Sequence, residues 1–280
     1  IIVLIIITPF GLSFGKVTIE NRCNAGPLLF IQSDIEATVP QPFKDFVNQT
    51  TEFIELVVSQ FFPRSDFTDW VNLLRSAHDE RGVSIHIVTD DSSISTALES
   101  FCEVTFIQNP QTEDSIKMLV FFGQSDYKRT IYASRLFSAW SKGEETHFFI
   151  TFPDCHSLAH DASSLYSLFK YYANKGFPQL FLKQFMPGST FPNVHHWNEN
   201  GSCSFGISPS DLTPPGRNTV RSLLNEFFQN SQNDELRVLT PSLFPSVEEV
   251  QQDMPEMLLS EKIEKAAYRN STIQILLTNS

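Results

Sequence analysis

The sequence predicts an α/β fold, with a mostly parallel sheet flanked by helices. Three observations carry that reading. Short apolar runs bounded by turn residues recur along the chain. Stretches with helical spacing separate them. A hydrophobic content of 41%, with 26 phenylalanines in 280 residues, supplies enough apolar surface for one large core or two small ones. One α/β domain is the simplest count. The net charge of −12 comes with no cluster of Lys and Arg, which argues against nucleic-acid phosphate as a partner.

Taken in order, Gly26-Pro27 precedes LLFIQS (28–33), a buried strand with a loop at its tip. Phe46, Phe53, Ile54, Leu56, Val57 and Phe61 follow approximate helical spacing over 43–61, and Pro63 ends that helix. A second helix over 67–79 leads through Gly82 to the strand VSIHIVT (83–89). Residues 95–102 read as helix and 104–107 as strand; two helices are predicted over 113–122 and 128–140. HFFITF (147–152) is the next strand. The helix behind it takes Asp161 as its cap, carries Leu165, Leu168, Phe169 and Tyr172 on one face, and stops at Gly176. QLFLKQF (179–185) is a strand, a loop with Trp197 follows, and 218–229 is helical. The segment 230–280 is a polar extension, Pro-rich at first, with an exposed helix over 258–268.

The first fifteen residues are apolar, run into small residues before Lys16, and read as a signal peptide or the remnant of a signal anchor. Sequons at Asn48, Asn200 and Asn270 fit glycosylation of a chain in the endoplasmic reticulum or Golgi lumen, or secreted from it. Four cysteines, Cys23, Cys102, Cys155 and Cys203, allow up to two disulfides there, in any of three connectivities.

In parallel sheets ligands sit beyond the carboxyl ends of the strands, so the tips after Phe30, Val88 and Phe152 are where a site is expected. PLLFIQSDIEATVPQPF, GVSIHIVTDDSS, SDYKRTIYASRLFSAW and ITFPDCHSLAHDASSLYSLF, with FPQLFLKQFMPGSTF and FGISPSDL after them, resemble successive segments of the family 8 glycosyltransferases. The likeness is greatest to the xyloside xylosyltransferases and covers about Pro27 to Arg217. It implies a GT-A-like nucleotide-diphospho-sugar transferase domain over 26–229. It also implies transfer of xylose from UDP-xylose to a glycan on a glycoprotein acceptor, aided by Mn²⁺. Phe30, Ile31, Gln32, Tyr127 and Asp154 then fall at nucleotide-facing positions.

The chain departs from that pattern at the metal. The family's Asp-x-Asp falls on Pro153 and Cys155, leaving Asp154 in the middle; no Asp-x-Asp occurs anywhere, and no His has Gly three residues on. Asp154 and Cys155 therefore read as a degenerate site, and the expectation is a divergent glycosyltransferase-like protein with weak or no activity. The alternative is a non-catalytic lumenal or secreted glycan- or protein-binding protein. A third reading is an adhesion or receptor ligand-binding domain, because Asp91, Ser93 and Ser95 fit an Asp-x-Ser-x-Ser cation motif; a Ser-rich helix cap explains the same residues.

Several residues keep an ordinary alternative. Asp154 is either a ligand contact or a loop carboxylate near a helix start. Cys155 is either a half-cystine or a buried small residue. Tyr127 is either a stacking platform or a plain surface or core tyrosine, and Phe30 to Gln32 either bracket a uracil or belong to the sheet core. His195, His196 and Trp197 are either a catalytic or sugar-stacking cluster or a solvated loop, and the loop is preferred because adjacent side chains on extended backbone face opposite ways.

Overall fold

The computed structural model describes residues 2–8, 23–32, 39–58, 67–89, 95–107, 121–133, 147–175, 195–197, 202–208, 235–240 and 272–277, with single positions at 222, 263, 267 and 268. In chain order the elements are β1 (Ile2–Thr8), β2 (Leu28–Gln32), α1 (Gln41–Asn48), β3 (Phe53–Val58), α2 (Phe67–Arg81), β4 (Ser84–Thr89), α3 (Ser95–Leu98) and β5 (Glu103–Phe106). Then come β6 (Phe121–Ser125), β7 (Arg129–Ala133), β8 (His147–Phe152), α4 (His156–Lys175), β9 (His195–His196), β10 (Ser202–Ser208), β11 (Glu235–Thr240) and β12 (Thr272–Leu277).

The chain divides into two compact units. The larger holds a seven-stranded sheet in the order β2-β8-β7-β6-β3-β4-β5. Only β3–β4 and β4–β5 pair in parallel; the other four neighbours are antiparallel, which corrects the mostly parallel expectation. The reason is local. Asp126 and Tyr127 both take left-handed backbone (φ 54° and 49°), and the Lys128 N–H donates to the Ser125 carbonyl at 2.9 Å. This tight turn, with three residues between the paired Ser125 and Arg129, folds β7 back on β6. Helices over 113–122 and 128–140 were expected here, and their described parts are the strands of this hairpin instead.

A second correction concerns α1. Helical spacing holds only to Asn48, where the three guanidinium bonds of Arg81 to the carbonyls of Val47, Asn48 and Thr50 close the helix end. From Thr51 the chain becomes β-branched, and Phe53–Val58 runs as a strand buried on both faces, a setting whose near-continuous apolar run imitates helical periodicity.

Helices pack on both sides. Ile54, Leu56 and Val58 of β3 join Phe43 and Phe46 of α1 and Trp70 and Leu74 of α2 in one core. Phe43 and Trp70 rings lie 4.3 Å apart. On the opposite face Phe122 meets Phe169 of α4, ring centroids 5.9 Å apart. Each fully buried side chain of this size contributes about 1.5–3 kcal/mol.

Helix α4 begins at His156, five residues before the expected cap. Asp161 is therefore an interior helical residue, almost fully buried, which corrects its reading as a cap. β9 corrects the solvated loop: His195 and His196 are both buried, and Cys203 lies opposite His195 in the antiparallel pair β9–β10.

The smaller unit contains the parallel pair β11–β12, in register from Glu235 opposite Thr272 to Thr240 opposite Leu277. The polar extension thus carries sheet structure. Ile2–Thr8, read as a leader's apolar core, is strand β1 and neighbours β10. Among the described residues no helix is long and apolar enough to cross a membrane. Most of 91–95, the strand over 179–185, nearly all of the helices over 218–229 and 258–268, and the sequons Asn200 and Asn270 lie outside the described residues.

Candidate functional site

The five residues at nucleotide-facing positions do not form one site. β2 runs antiparallel to β8, with Leu28 opposite Thr151 and Gln32 opposite His147. Gln32 is thus at the far end of β8 from Asp154, seven residues along the chain, or roughly 20 Å at strand rise. Phe30 lines a shallow cleft of about 80 Å³ with Leu28, Pro42, Asp45, Arg129 and Pro153. Sites that enclose a small-molecule ligand are several times larger.

Asp154 and Tyr127 do share one end of the sheet. Asp154 follows β8 and is tied to the N-terminal segment: its carbonyl accepts from the N–H groups of Asn24 and Ala25 at 2.9 and 3.2 Å, and its Oδ2 accepts from Asn24 Nδ2 at 3.2 Å. Lys128 Nζ and His156 Nε2 both stand 3.9 Å from Oδ1. Tyr127 stacks on His160 at 4.5 Å and 13°, turns an edge to Phe53, and remains 40% exposed. Burial, and then the neighbouring His156, hold the His160 imidazole below its ordinary value, so the stacked ring is neutral at pH 7.

The residues at the implied metal positions do not fit Mn²⁺. The ion prefers several oxygen ligands. The Cys155 sulfur is bonded to Cys23, and Asp154 is the single carboxylate there, its Oδ2 bonded by Asn24 and its Oδ1 flanked at 3.9 Å by the two nitrogens of Lys128 and His156, a setting that one more cation would crowd with like charge. Among the described residues no three His, Cys, Asp or Glu side chains are grouped to hold a metal. The disulfide also settles Cys155 as a half-cystine and leaves Cys102 and Cys203 as buried thiols.

A second polar constellation escaped the sequence reading. Ser157 and Asp161, one helical turn apart on α4, flank His195. With its hydrogen on Nε2 the ring donates to Asp161 Oδ2 at 3.4 Å and accepts at Nδ1 from the Ser157 hydroxyl at 3.0 Å. The residue types are those of a nucleophilic triad. Their burial is not: His195 is 0% exposed, Asp161 1% and Ser157 6%. The network fastens β9 to α4. Nearby, burial and the Asp161 charge push the Cys203 thiol well up, so it stays protonated. The i, i+4 pair was visible in sequence, as was the His195-His196-Trp197 run; that His195, 34 residues beyond Asp161, meets the pair is what no local pattern signals.

Cys23 lies against the same region. Its N–H donates to the His196 carbonyl at 2.6 Å, and Trp197 packs on Gly26 so closely that a β-carbon there would stand 2.9 Å from the indole. Residues 23–26, 154–157 and 195–197 form one clamp.

No protein-family profile matches the chain, and no curated protein is significantly similar to it. Solved structures are similar in fold. Phosphatidylserine synthase from Haemophilus influenzae Rd KW20 superposes with a TM-score of 0.57 at 9% identity, over 89% of this chain and 61% of that one. Polyphosphate kinase from Porphyromonas gingivalis superposes at 0.51 and 7% identity, over 90% of this chain and 38% of that one. A phospholipase D family member, Nuc from Salmonella typhimurium, reaches 0.37 at 12% identity, over 51% of this chain and 93% of that one, too low to carry an argument. Likeness at these identities concerns the fold alone.

Proposed function

We propose that this chain is a non-catalytic glycan-binding protein of the secretory pathway or extracellular space, built on a fold similar to those of phosphatidylserine synthase and polyphosphate kinase. Its recognition surface is the sheet end where Tyr127, Lys128, Asp154, His156 and His160 meet. The observation that supports this reading is the exposed Tyr127 ring held rigidly on His160 beside polar side chains of both charges. A sugar presents a C–H face that packs on an aromatic ring and hydroxyls that both donate and accept. Such a ring offers an apolar body with a polar tip. The Cys23–Cys155 disulfide supports residence in an oxidising compartment.

A glycan panel followed by titration of the purified full chain tests this. Binding should be lost in Tyr127→Ala and retained in Tyr127→Phe, which keeps the stack. Absence of glycan binding into the millimolar range would overturn the reading. Saturable UDP-xylose binding strengthened by Mn²⁺ would return the chain to the transferases.

A further inference from the structure

We propose that Asn48 carries an N-linked glycan that can be attached only before the domain closes, because folding hides the other half of its recognition signal. Attachment joins the Asn48 amide nitrogen to the anomeric carbon of a lipid-pyrophosphate-linked oligosaccharide. The bond from that carbon to the pyrophosphate breaks, the lipid pyrophosphate leaves with the electron pair, and the amide loses one proton to a base of the transferase. The transferase reads Asn and the hydroxyl two residues on together, in Asn48-Gln49-Thr50.

In the folded chain these two parts have opposite fates. Asn48 is the last residue of α1 and is exposed, so a glycan there projects into solvent. Thr50 is 1% exposed, and its hydroxyl donates to the Phe46 carbonyl at 2.9 Å. Arg81 holds the carbonyls of Val47, Asn48 and Thr50 at 2.8–2.9 Å. Asp126 then fixes the next residues, accepting from the N–H groups of Thr51, Glu52 and Phe53 at 2.9–3.1 Å and from the Thr51 hydroxyl at 3.1 Å.

The order of synthesis separates the two states. Arg81 lies 33 residues beyond Asn48, and Asp126 lies 75 beyond Thr51. When the sequon first emerges into the lumen, both anchors still lie behind it, within or beyond the ribosome and translocon, and cannot reach it. Once α2 and the β6–β7 hairpin are in place, Thr50 is sequestered while Asn48 stays outside. The folded domain therefore tolerates the glycan but does not acquire it unless this segment opens.

The inference rests on the lumenal part of the function proposed above and not on sugar binding. The full chain behind a secretion signal is translated with microsomes, and occupancy of Asn48 is read by peptide mass after endoglycosidase treatment of protease-protected chains. Occupied Asn48, and loss of one gel step in Asn48→Gln, is the expected result. Separately, unglycosylated full chain is offered to solubilised oligosaccharyltransferase and its lipid-linked donor, either folded or reduced and denatured. Modification of the folded chain requires local opening and should be slower by about tenfold or more. An empty Asn48 in protected chains, or equal modification of folded and denatured chain, overturns the proposal. Chains left unprotected despite the signal would sink it together with the lumenal reading, whereas a failed glycan panel leaves it untouched.

Discussion

Asp126 shows how one side chain decides a turn. Its backbone is left-handed, a conformation that Asn and Asp tolerate better than most residues, and its carboxylate gathers the N–H groups of Thr51, Glu52 and Phe53. Burial pushes the carboxyl up, but these bonds and the Thr51 hydroxyl outweigh it and hold the group below 3.8. A carboxyl that titrates lower folded than unfolded contributes in full above 3.8, and the contribution is lost as pH falls through the folded value. Asp126→Asn keeps the turn and removes the charge. We expect a loss of about 1–3 kcal/mol at pH 7, read from urea unfolding, with the gap to the wild-type chain shrinking as pH falls below 3.8. A gap independent of pH would mean that the charge is irrelevant. Asp154, by contrast, holds residues 24 and 25, which is why its position beside a strand end imitates a metal ligand without making one.

At the scale of elements, β3 and β6 meet at Gly123. A β-carbon there would stand 2.5 Å from the Leu56 side chain and 3.2 Å from the Glu55 carbonyl, which cannot move without disturbing the ladder. Gly123→Ala should cost about 1–3 kcal/mol through overpacking, visible as a lowered thermal midpoint. An unchanged midpoint would show that the sheet yields there. Elements with one clear period were legible in sequence. β2, β4, β5 and β8 are apolar runs set off by turns, and α2 and α4 carry long apolar stripes. α1 and β3 merged because a strand buried on both faces places apolar residues at i, i+3 and i+4 as readily as a helix does. The β6–β7 hairpin was missed because its turn uses Asp-Tyr rather than a glycine pair, and the stabilising partners of Asp126 lie some 75 residues away. Half the candidate site was legible for the same reason. Tyr127 and Asp154 share a sheet end, whereas Ile31 and Gln32 were separated from them by a strand direction that no local pattern encodes.

For the whole molecule, the Cys23–Cys155 link closes a long covalent loop, with a sequence separation of 132. Chain-entropy arguments put the stabilisation from a loop of that size at roughly 5 kcal/mol, a large share of a domain's total. Mild reductant, or Cys23→Ser, should therefore lower the thermal midpoint markedly, measured by circular dichroism with and without dithiothreitol. An insensitive midpoint would mean that the packing of Trp197, Gly26 and Phe152 suffices by itself to hold residues 23–26.

The sheet also ends somewhere. On one side its last strand among the described residues is β2, whose sequence LLFIQ contains no charged residue, and Leu28 and Leu29 stand 49% and 61% exposed. A row of backbone donors and acceptors flanked by bare leucines is a template on which another extended chain can zip. The same strand that completes this sheet therefore sets how crowded a solution of the protein can become before its copies begin to join edge to edge.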